Sequence, residues 1–256
     1  MYSEGKIDGY EFVENEYLIV KDEEDKVIDK LVYRHGGFEP VKYSYFKNTY
    51  TGQLKPRNVH QEVAFEMLKN PDITVKLITG TWGTGKTLAL VVAALDAVQR
   101  GDFDKIVWVR NNVQVRDTDQ IGALPGDAYD KMLPYLGPFC DHVGGEDGVR
   151  MLIESGQLEV IPLGFLRGRS IRKAIIICSE AENLTKEHIQ LLMGRVDDGS
   201  ALWLDGDVRQ RDRVVFEKSK GLEVMIDRLK GEELFGYVHL VKSERSATAR
   251  LADKLN

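Results

Sequence analysis

The sequence predicts an α/β fold, with a mostly parallel sheet flanked by helices and a small N-terminal β annex. From about residue 55, short apolar runs alternate with helical segments, as in proteins built from strand–helix–strand units. A glycine-rich turn between a β-branched run and an Ala- and Leu-rich segment is a second sign of this architecture. We therefore expect the annex over residues 1–50 and the main α/β domain over residues 51–256.

Each predicted element rests on a local pattern. In the annex, apolar runs separated by Gly and Asp predict an antiparallel meander with strands near residues 17–20, 27–33 and 38–45. In the main domain, short apolar runs predict buried strands at residues 73–79, 106–110, 175–178, 201–204 and 238–241. Helical patterns between and after these strands occupy residues 86–100, 126–135, 146–156 and 247–255.

The composition is that of a globular protein. Of the 256 residues, 43% are hydrophobic and 30% charged, which excludes a disordered, collagen-like or coiled-coil chain. The net charge is −6, so any nucleic-acid surface has to be a local patch. Two cysteines and no signal-peptide pattern predict a cytoplasmic protein without a disulfide framework. The apolar runs are far shorter than a membrane span requires, so we expect no membrane association.

One motif carries a specific chemistry. The glycine-rich turn fits the P-loop pattern G-x-x-x-x-G-K-[ST] at every fixed position, and it reads Gly80-Thr81-Trp82-Gly83-Thr84-Gly85-Lys86-Thr87. Glycines let the backbone N–H groups of such a loop curl around a triphosphate, and the following helix points its positive end at the same anion. We expect Lys86 to reach the β- and γ-phosphates and Thr87 to bind Mg²⁺. Trp82 is an unusually large residue for the tip of this loop.

Two later segments place acids where predicted strands end. One reads Ser179-Glu180-Ala181-Glu182-Asn183, and the other Asp205-Gly206-Asp207-Val208-Arg209-Gln210. A carboxylate that emerges beside a P-loop is positioned to act on the metal and on the attacking water. We expect Glu180 to orient the water and Gln210 to sense the γ-phosphate. Asp207 is a candidate second acid on the metal side, with capping of its own loop as an equally good interpretation.

Together these motifs resemble the PhoH family of phosphate-starvation-type ATPases, from about residue 55 to the C-terminus. Three further motifs support the resemblance, in the order of the family: Leu124-Pro125-Gly126-Asp127 with Lys131 and Pro134-Tyr135, Pro162-Leu163 with Arg167-Gly168-Arg169-Ser170, and Ser219 with Gly221-Leu222. The chain looks like the ATPase half of longer PIN–PhoH proteins. The resemblance implies a RecA-like P-loop NTPase core, related to superfamily 1 helicases, that uses ATP and Mg²⁺.

The chain departs from the family pattern at the first acidic segment. The family usually has Asp-Glu-Ala-Gln-Asn where this chain has Ser179 to Asn183. The missing Asp is the usual anchor of Mg²⁺, and Ser179 can bond to a metal-bound water without contributing charge. We expect Mg²⁺ and ATP to bind with Ser179 at the metal, and hydrolysis to be slower than in relatives that carry the acid. Restoring Asp at position 179 is then expected to raise turnover.

The resemblance also implies that Gln61 reads adenine, which would favour ATP over GTP; a solvent-facing helix residue is the alternative. Two arginine clusters are candidates for binding RNA or DNA phosphates, for contacts with a neighbouring subunit, or for solvating a loop. The first contains Arg167, Arg169 and Arg172 with Lys173, and the second contains Arg209, Arg211 and Arg213. Arg110 is a further candidate, although the family has an Arg-Pro pair where Asn111 follows it.

A single core cannot complete its own site with an arginine from a second core. The resemblance places a late arginine at Arg245, so we expect a homo-oligomer, with a hexameric ring suspected. In it Arg245, or else Arg169, would reach the neighbouring nucleotide. The resulting hypothesis is an ATPase coupled to the remodelling of RNA or single-stranded DNA. A nucleotide-switched oligomeric scaffold with weak hydrolysis is the alternative, and a small-molecule kinase is disfavoured because no lid-like Arg-rich insertion is evident.

Overall fold

The computed structural model describes residues 10–110, 136–208 and 220–244. Strands β1 (Glu16–Lys21), β2 (Val27–Arg34) and β3 (Gly37–Pro40) form an antiparallel sheet, and β4 (Phe46–Asn48) pairs with β5 (Gly52–Leu54). This confirms the predicted antiparallel strands, but the third one ends at Pro40 instead of reaching residue 45. The N–H of Val41 still donates to the carbonyl oxygen of Lys30 in β2 at 2.8 Å, and the chain leaves the sheet after that bond. The domain boundary after residue 50 stays a prediction.

The main sheet comes from the rest of the chain. Within the described residues, six strands pair in parallel in the order β11-β6-β10-β9-β7-β8. These strands are β6 (Val75–Gly80), β7 (Lys105–Arg110), β8 (Leu158–Pro162), β9 (Ala174–Cys178), β10 (Ala201–Gly206) and β11 (Phe235–Leu240). The predicted α/β class is thereby confirmed, and the strand before the P-loop, β6, lies inside the sheet.

Six α-helices occur within the described residues. They are α1 (Val59–Lys69), α2 (Lys86–Arg100), α3 (Gly137–Cys140), α4 (Gly145–Glu154), α5 (Lys186–Met193) and α6 (Gly221–Leu229). The prediction for α2 is confirmed at both ends, and α4 begins one residue before and ends two residues before its predicted bounds. The predicted helices over 126–135 and 247–255 lie outside the described residues.

Hydrophobic cores lie on both faces of the main sheet, because successive residues of a strand point to opposite faces. Ile175 and Ile177 of β9 pack into the core with α1–α4, whereas Ile176 and Cys178 pack into the core with α5 and α6. Trp203 is 2% exposed in the first of these cores. The prediction that Trp203, Trp108 and Cys178 are core residues is confirmed, while Tyr135 lies outside the described residues.

The annex is bound to the main sheet and to α1 by polar side chains. Arg34 donates from Nη1 and Nη2 to the two carboxylate oxygens of Glu66, at 2.8 and 3.1 Å. Asn15 donates from Nδ2 to the carbonyl oxygens of Glu233 and Phe235, at 2.9 and 3.2 Å. The annex therefore covers the side of α1 and β11, away from strand β8 at the other border of the sheet.

Parallel pairing brings the ends of all these strands to common borders. We call the border where the strands end the carboxyl edge, and the border where they begin the amino edge. The register pairs Gly206 with Thr79 across β10 and β6, and Leu204 with Cys178 across β10 and β9. The P-loop and both acidic segments therefore emerge next to one another at the carboxyl edge. No helix in the described ranges is long and apolar enough to cross a membrane.

Candidate nucleotide site

The P-loop adopts a conformation that two of its glycines make possible. Gly80 has φ of 153°, and a Cβ built there would lie 2.5 Å from the carbonyl oxygen of Leu240 at the end of β11. Gly85 has φ of 87° and is the N-cap of α2 without a side-chain cap. Both conformations favour glycine, because a Cβ is disfavoured at positive φ. The first-turn N–H groups of α2 consequently face the loop, as anion binding at a helix N-terminus requires.

Hydrogen bonds from other parts of the chain hold the loop. Thr84, which is fully buried, donates from Oγ1 to the carbonyl oxygen of Thr81 at 2.9 Å. The N–H of Glu244, just beyond β11, donates to the carbonyl oxygen of Gly83 at 2.8 Å. The loop is therefore braced from inside and from the neighbouring strand, which preorganises its N–H groups.

Gln61, in the first turn of α1, is the third support of the loop. Its Nε2 donates to the carbonyl oxygen of Thr84 at 3.0 Å, and its Oε1 accepts from the N–H of Arg57 at 2.8 Å. The residue is 9% exposed, so it does not face solvent. Its predicted adenine contact stays a prediction, and in this structure both ends of the amide are bound to backbone groups beside the P-loop.

The charged and bulky residues of the P-loop lie around its rim. Lys86 donates from Nζ to the carbonyl oxygens of Gly80 and Thr81, at 2.6 and 3.0 Å, so its ammonium lies within the loop. Trp82 is 38% exposed at the tip. The Thr87 hydroxyl lies near the Asp205 carboxylate, where it lowers the pKa of that acid.

The acidic segment after β9 begins with a strained residue. Glu180 has φ of 56° and ψ of 44°, the left-handed region, which is uncommon for a residue with a side chain. Its N–H donates to Asp205 Oδ1 at 3.1 Å, which holds the backbone in that sharp turn. Such local strain is frequent at functional sites. The Glu180 side chain is exposed at the carboxyl edge, as a water-orienting acid requires.

Asp205 is the site residue that the sequence did not single out. It is 1% exposed at the end of β10, and its Oδ1 accepts a hydrogen bond of 2.7 Å from the hydroxyl of Ser179. Among the described residues, no donor forms a hydrogen bond with its Oδ2. Burial raises the pKa of Asp205, while hydrogen bonds from Thr87 and Ser179 and the charge of Lys86 oppose that rise. The parallel pairing of β9 with β10 identifies it, because Leu204 pairs with Cys178 and the next residues, Asp205 and Ser179, are therefore neighbours.

The other acids of these segments are also largely buried. Glu182 accepts at Oε2 from the N–H of Asp207 at 3.1 Å. Burial, reinforced by the charges of Asp205 and Glu180, raises the pKa of Glu182 to about 7. Asp207 is 3% exposed, and its predicted metal role stays a prediction.

Two of the candidate arginines lie at the amino edge, opposite the P-loop. Arg169 binds Glu159 of β8 at 2.8 Å, and Arg172 binds Asp197, before β10, at 2.8 Å. Arg167 is exposed directly after the turn at Leu163–Leu166, which follows the carboxyl end of β8. The first cluster is therefore divided between the two edges.

Several predicted residues cannot be placed. Those outside the described residues are Gln210, Arg245, Asn111, Arg209, Arg211, Arg213 and Ser219, together with the motif over 124–135. The backbone of Arg110 ends β7, and its side chain is not described. The predicted roles of these residues stay predictions.

The residues at the carboxyl edge suit Mg²⁺. The ion prefers hard oxygen ligands and usually keeps several of its waters. A buried carboxylate oxygen without a donor, on Asp205, and the hydroxyl groups of Thr87 and Ser179 supply such oxygens. Lys86 adds a positive charge for the phosphates that accompany the ion. The donor set thus fits a Mg²⁺–triphosphate complex.

Comparisons with known proteins agree with this reading. The family model described as "PhoH: PhoH-like protein" matches residues 53–252. The chain is 33% identical over 255 residues to Protein PhoH2 of Bacillus subtilis, which covers 95% of this chain and 57% of that protein. It is 34% identical to Protein PhoH2 of Mycolicibacterium smegmatis over 79% of this chain and 47% of that protein. The chain thus spans about half the length of these curated relatives.

Solved structures similar to this chain include a Pif1 helicase from Candida albicans. The TM-score is 0.39 at 15% identity, with 79% of this chain and 44% of that chain covered. A structure of Bacteroides Pif1 bound to single-stranded DNA has a TM-score of 0.37 at 14% identity, with 78% of this chain and 46% of that chain covered.

Proposed function

The chain belongs to the PhoH family, and on that premise we propose that it is a Mg²⁺-dependent ATPase whose hydrolysis is coupled to RNA or single-stranded DNA. One observation supports this most strongly. The P-loop, a buried carboxylate and the exposed acid Glu180 converge at the carboxyl edge of one parallel sheet. Hydrolysis of a phosphoanhydride needs these components within reach of the same phosphate.

Each residue has a distinct part in this proposal. The N–H groups of the P-loop and of the first turn of α2 bind the phosphate oxygens. Lys86 leaves the carbonyl oxygens that it now contacts and neutralises the charge on the β- and γ-phosphates. Thr87 and Asp205 would hold Mg²⁺, which would withdraw charge from the phosphates. Glu180 orients the attacking water at the exposed side of the site.

The nucleic-acid part of the proposal rests on a surface after β8, the border strand that lies four strands from β6 in the same sheet. Phe165 is 72% exposed in the turn that follows the carboxyl end of β8, and the exposed Arg167 comes two residues later. An exposed aromatic ring offers a stacking platform for a base, and an arginine offers a phosphate contact. This pair is therefore suited to bind a single strand of RNA or DNA that crosses the carboxyl edge of the sheet.

An assembly of several copies remains part of the proposal. The described residues contain one P-loop core, and a homo-oligomer would let a residue such as Arg245 complete the site of a neighbour. Light scattering with and without Mg·ATP measures the assembly directly. A fully active monomer would rule out the contribution in trans.

Steady-state ATPase assays with and without single-stranded RNA test the function. Stimulation of ATP hydrolysis by RNA supports the motor. Stimulation by single-stranded DNA but not by RNA would identify DNA as the nucleic acid to which hydrolysis is coupled. Tight Mg·ATP binding with negligible turnover in both assays would contradict the motor and favour the nucleotide-switched scaffold. A Glu180→Gln preparation sets the background of contaminating ATPases.

A further inference from the structure

The side chains of Ser179 and Asp205 form a pair across two neighbouring strands. Ser179, directly after β9, donates from Oγ to Asp205 Oδ1 at 2.7 Å, and the N–H of Glu180 donates to the same oxygen at 3.1 Å. Both donors fix the orientation of a carboxylate that is 1% exposed. The acid expected after β9 by the family pattern is thus absent from position 179, but a carboxylate from β10 lies against that position.

The second oxygen of this carboxylate has no hydrogen-bond partner among the described residues. Leaving a buried charged oxygen unsatisfied is costly for a fold, so such an atom calls for a ligand. The Thr87 hydroxyl and the Lys86 ammonium lie close enough to Asp205 to lower its pKa, although Thr87 does not form a hydrogen bond with Oδ2. The free oxygen therefore lies beside the residue that the P-loop motif assigns to Mg²⁺.

We propose that Asp205 anchors the Mg²⁺ of the bound nucleotide in place of the acid missing at position 179, and that Ser179 orients the Asp205 carboxylate. The family pattern has the Mg²⁺-anchoring carboxylate at the end of β9, whereas in this chain the proposed anchor lies at the end of the neighbouring strand β10. This inference rests on the proposed function, because it requires that the P-loop binds Mg·ATP. If the proposal holds, Ser179 positions the Asp205 carboxylate, and the absence of a charge at position 179 does not weaken Mg²⁺ binding.

The proposal reverses one expectation from the sequence. If Asp205 already anchors the ion, Ser179→Asp adds a second carboxylate against a buried one. Two like charges at hydrogen-bond distance cannot both remain ionised without cost. Ser179→Asp is therefore expected to lower thermal stability and to leave turnover unchanged or reduced.

Nucleotide-binding titrations with Mg²⁺ and with EDTA test the anchor in the intact chain. Asp205→Asn keeps the shape and the Oδ1 acceptor, and we expect it to weaken Mg²⁺-dependent ATP affinity by about tenfold or more. Its affinity for ATP in EDTA should not fall. Asp198→Asn, at an exposed carboxylate before β10 on the amino edge, is the matched control and should behave as wild type.

Two further readouts separate an anchor from a structural acid. Titration of Mn²⁺ followed by electron paramagnetic resonance should show loss of the nucleotide-dependent bound ion in Asp205→Asn. The melting temperature of ligand-free Asp205→Asn should equal or exceed that of wild type, because a buried negative charge is removed. A purely structural carboxylate would instead lower the melting temperature and leave the Mg²⁺ dependence of binding intact, which would overturn the proposal.

The exchanged variant Ser179→Asp/Asp205→Ser completes the test. It returns one carboxylate to the end of β9, and we expect it to recover Mg²⁺-dependent affinity that Asp205→Asn lacks. Wild-type Mg²⁺ dependence in Asp205→Asn would overturn the anchor while leaving the ATPase proposal standing. Absence of Mg·ATP binding in wild type would instead remove the proposed function and this inference with it.

Discussion

The two edges of the main sheet are both rich in charge, but they satisfy it differently. At the amino edge, Glu159 accepts from Lys105 at 2.6 Å and from Arg169 at 2.8 Å. Although burial alone would raise the pKa of Glu159, these two hydrogen bonds hold it below its ordinary value. At the carboxyl edge, burial raises the pKa of Asp205, and one of its oxygens accepts no hydrogen bond from the described residues.

This difference distinguishes charges that stabilise a fold from charges kept for a ligand. Ion pairs at an exposed edge satisfy each other and need nothing further. The Lys86 ammonium, by contrast, contacts only backbone carbonyl oxygens in the bonds described, so a phosphate can replace them. The strained backbone of Glu180 lies at the same edge as the unsatisfied Asp205 oxygen, and such strain is frequent at functional sites.

The largest effect is expected from neutralising Glu180, the exposed acid at the carboxyl edge. Glu180→Gln should reduce kcat by on the order of 100-fold or more, because a general base or water-orienting acid contributes that much. Mg·ATP affinity should remain near wild type. Single-turnover assays with calorimetry measure both quantities. Equal losses of binding and turnover would show that Glu180 supports the fold of the site instead.

A second test concerns the exposed ring of Phe165, in the turn that follows β8. Phe165→Ala should weaken single-stranded RNA binding by about tenfold, because stacking on one base is worth roughly 1–3 kcal/mol. ATP hydrolysis without RNA should stay unchanged. Fluorescence anisotropy with a labelled oligonucleotide measures the effect. Met151→Ala, on α4, is a control of similar exposure, and an equal loss in both variants would refute a specific stacking role.

A third test uses the half-buried acid Glu182. Its pKa is raised to about 7, so the native state holds a proton that the unfolded chain releases above about pH 4.5. Stability should therefore decrease as pH rises from about 4.5 to about 7, by up to about 1.4 kcal/mol per unit, and then stop changing. Glu182→Gln should flatten this part of the profile and raise the melting temperature at pH 8.

Denaturant titrations between pH 4.5 and pH 8 measure that slope. Glu233→Gln, at an exposed carboxylate before β11, should keep the wild-type profile. A profile of Glu182→Gln that overlays wild type would show that another group carries the pH dependence.

The smallest effect is expected at the amino edge. Arg172→Ala removes an exposed partner of Asp197, and such exposed pairs contribute little to stability. ATP affinity, turnover and melting temperature should all stay within error of wild type. A clear loss of ATPase activity in the oligomeric Arg172→Ala variant would show that the amino edge forms a functional interface, which would contradict the proposed difference between the two edges.

Local sequence patterns predicted the P-loop, helix α2 and most strands, because each depends on neighbouring residues. Strand β8 escaped prediction, since Leu158–Pro162 is short and contains Glu159 and a proline. Helices α1, α3, α5 and α6 were also not among the predicted elements; α3, α5 and α6 have only four, eight and nine residues, so their periodic pattern is brief. The strand expected over 238–241 begins earlier, at Phe235, and Val241 beyond it is 63% exposed.

The site was harder to predict because its key pair is distant in the sequence. Asp205 stands next to the more conspicuous Gly206-Asp207, and only the pairing of β9 with β10 shows that it contacts Ser179. Likewise, the contacts of Gln61 with Thr84 and Arg57 depend on how α1 packs against the P-loop. Local patterns identify a motif, whereas its supporting contacts require the fold.

The most direct measurement is calorimetric titration of Mg·ATP into wild type and into Lys86→Ala. The P-loop N–H groups and Lys86 are proposed to enclose a triphosphate, so wild type should bind one nucleotide per chain. Lys86→Ala should lose most of that affinity while it unfolds at an unchanged temperature. Well-folded wild-type protein that shows no heat of Mg·ATP binding would contradict the account.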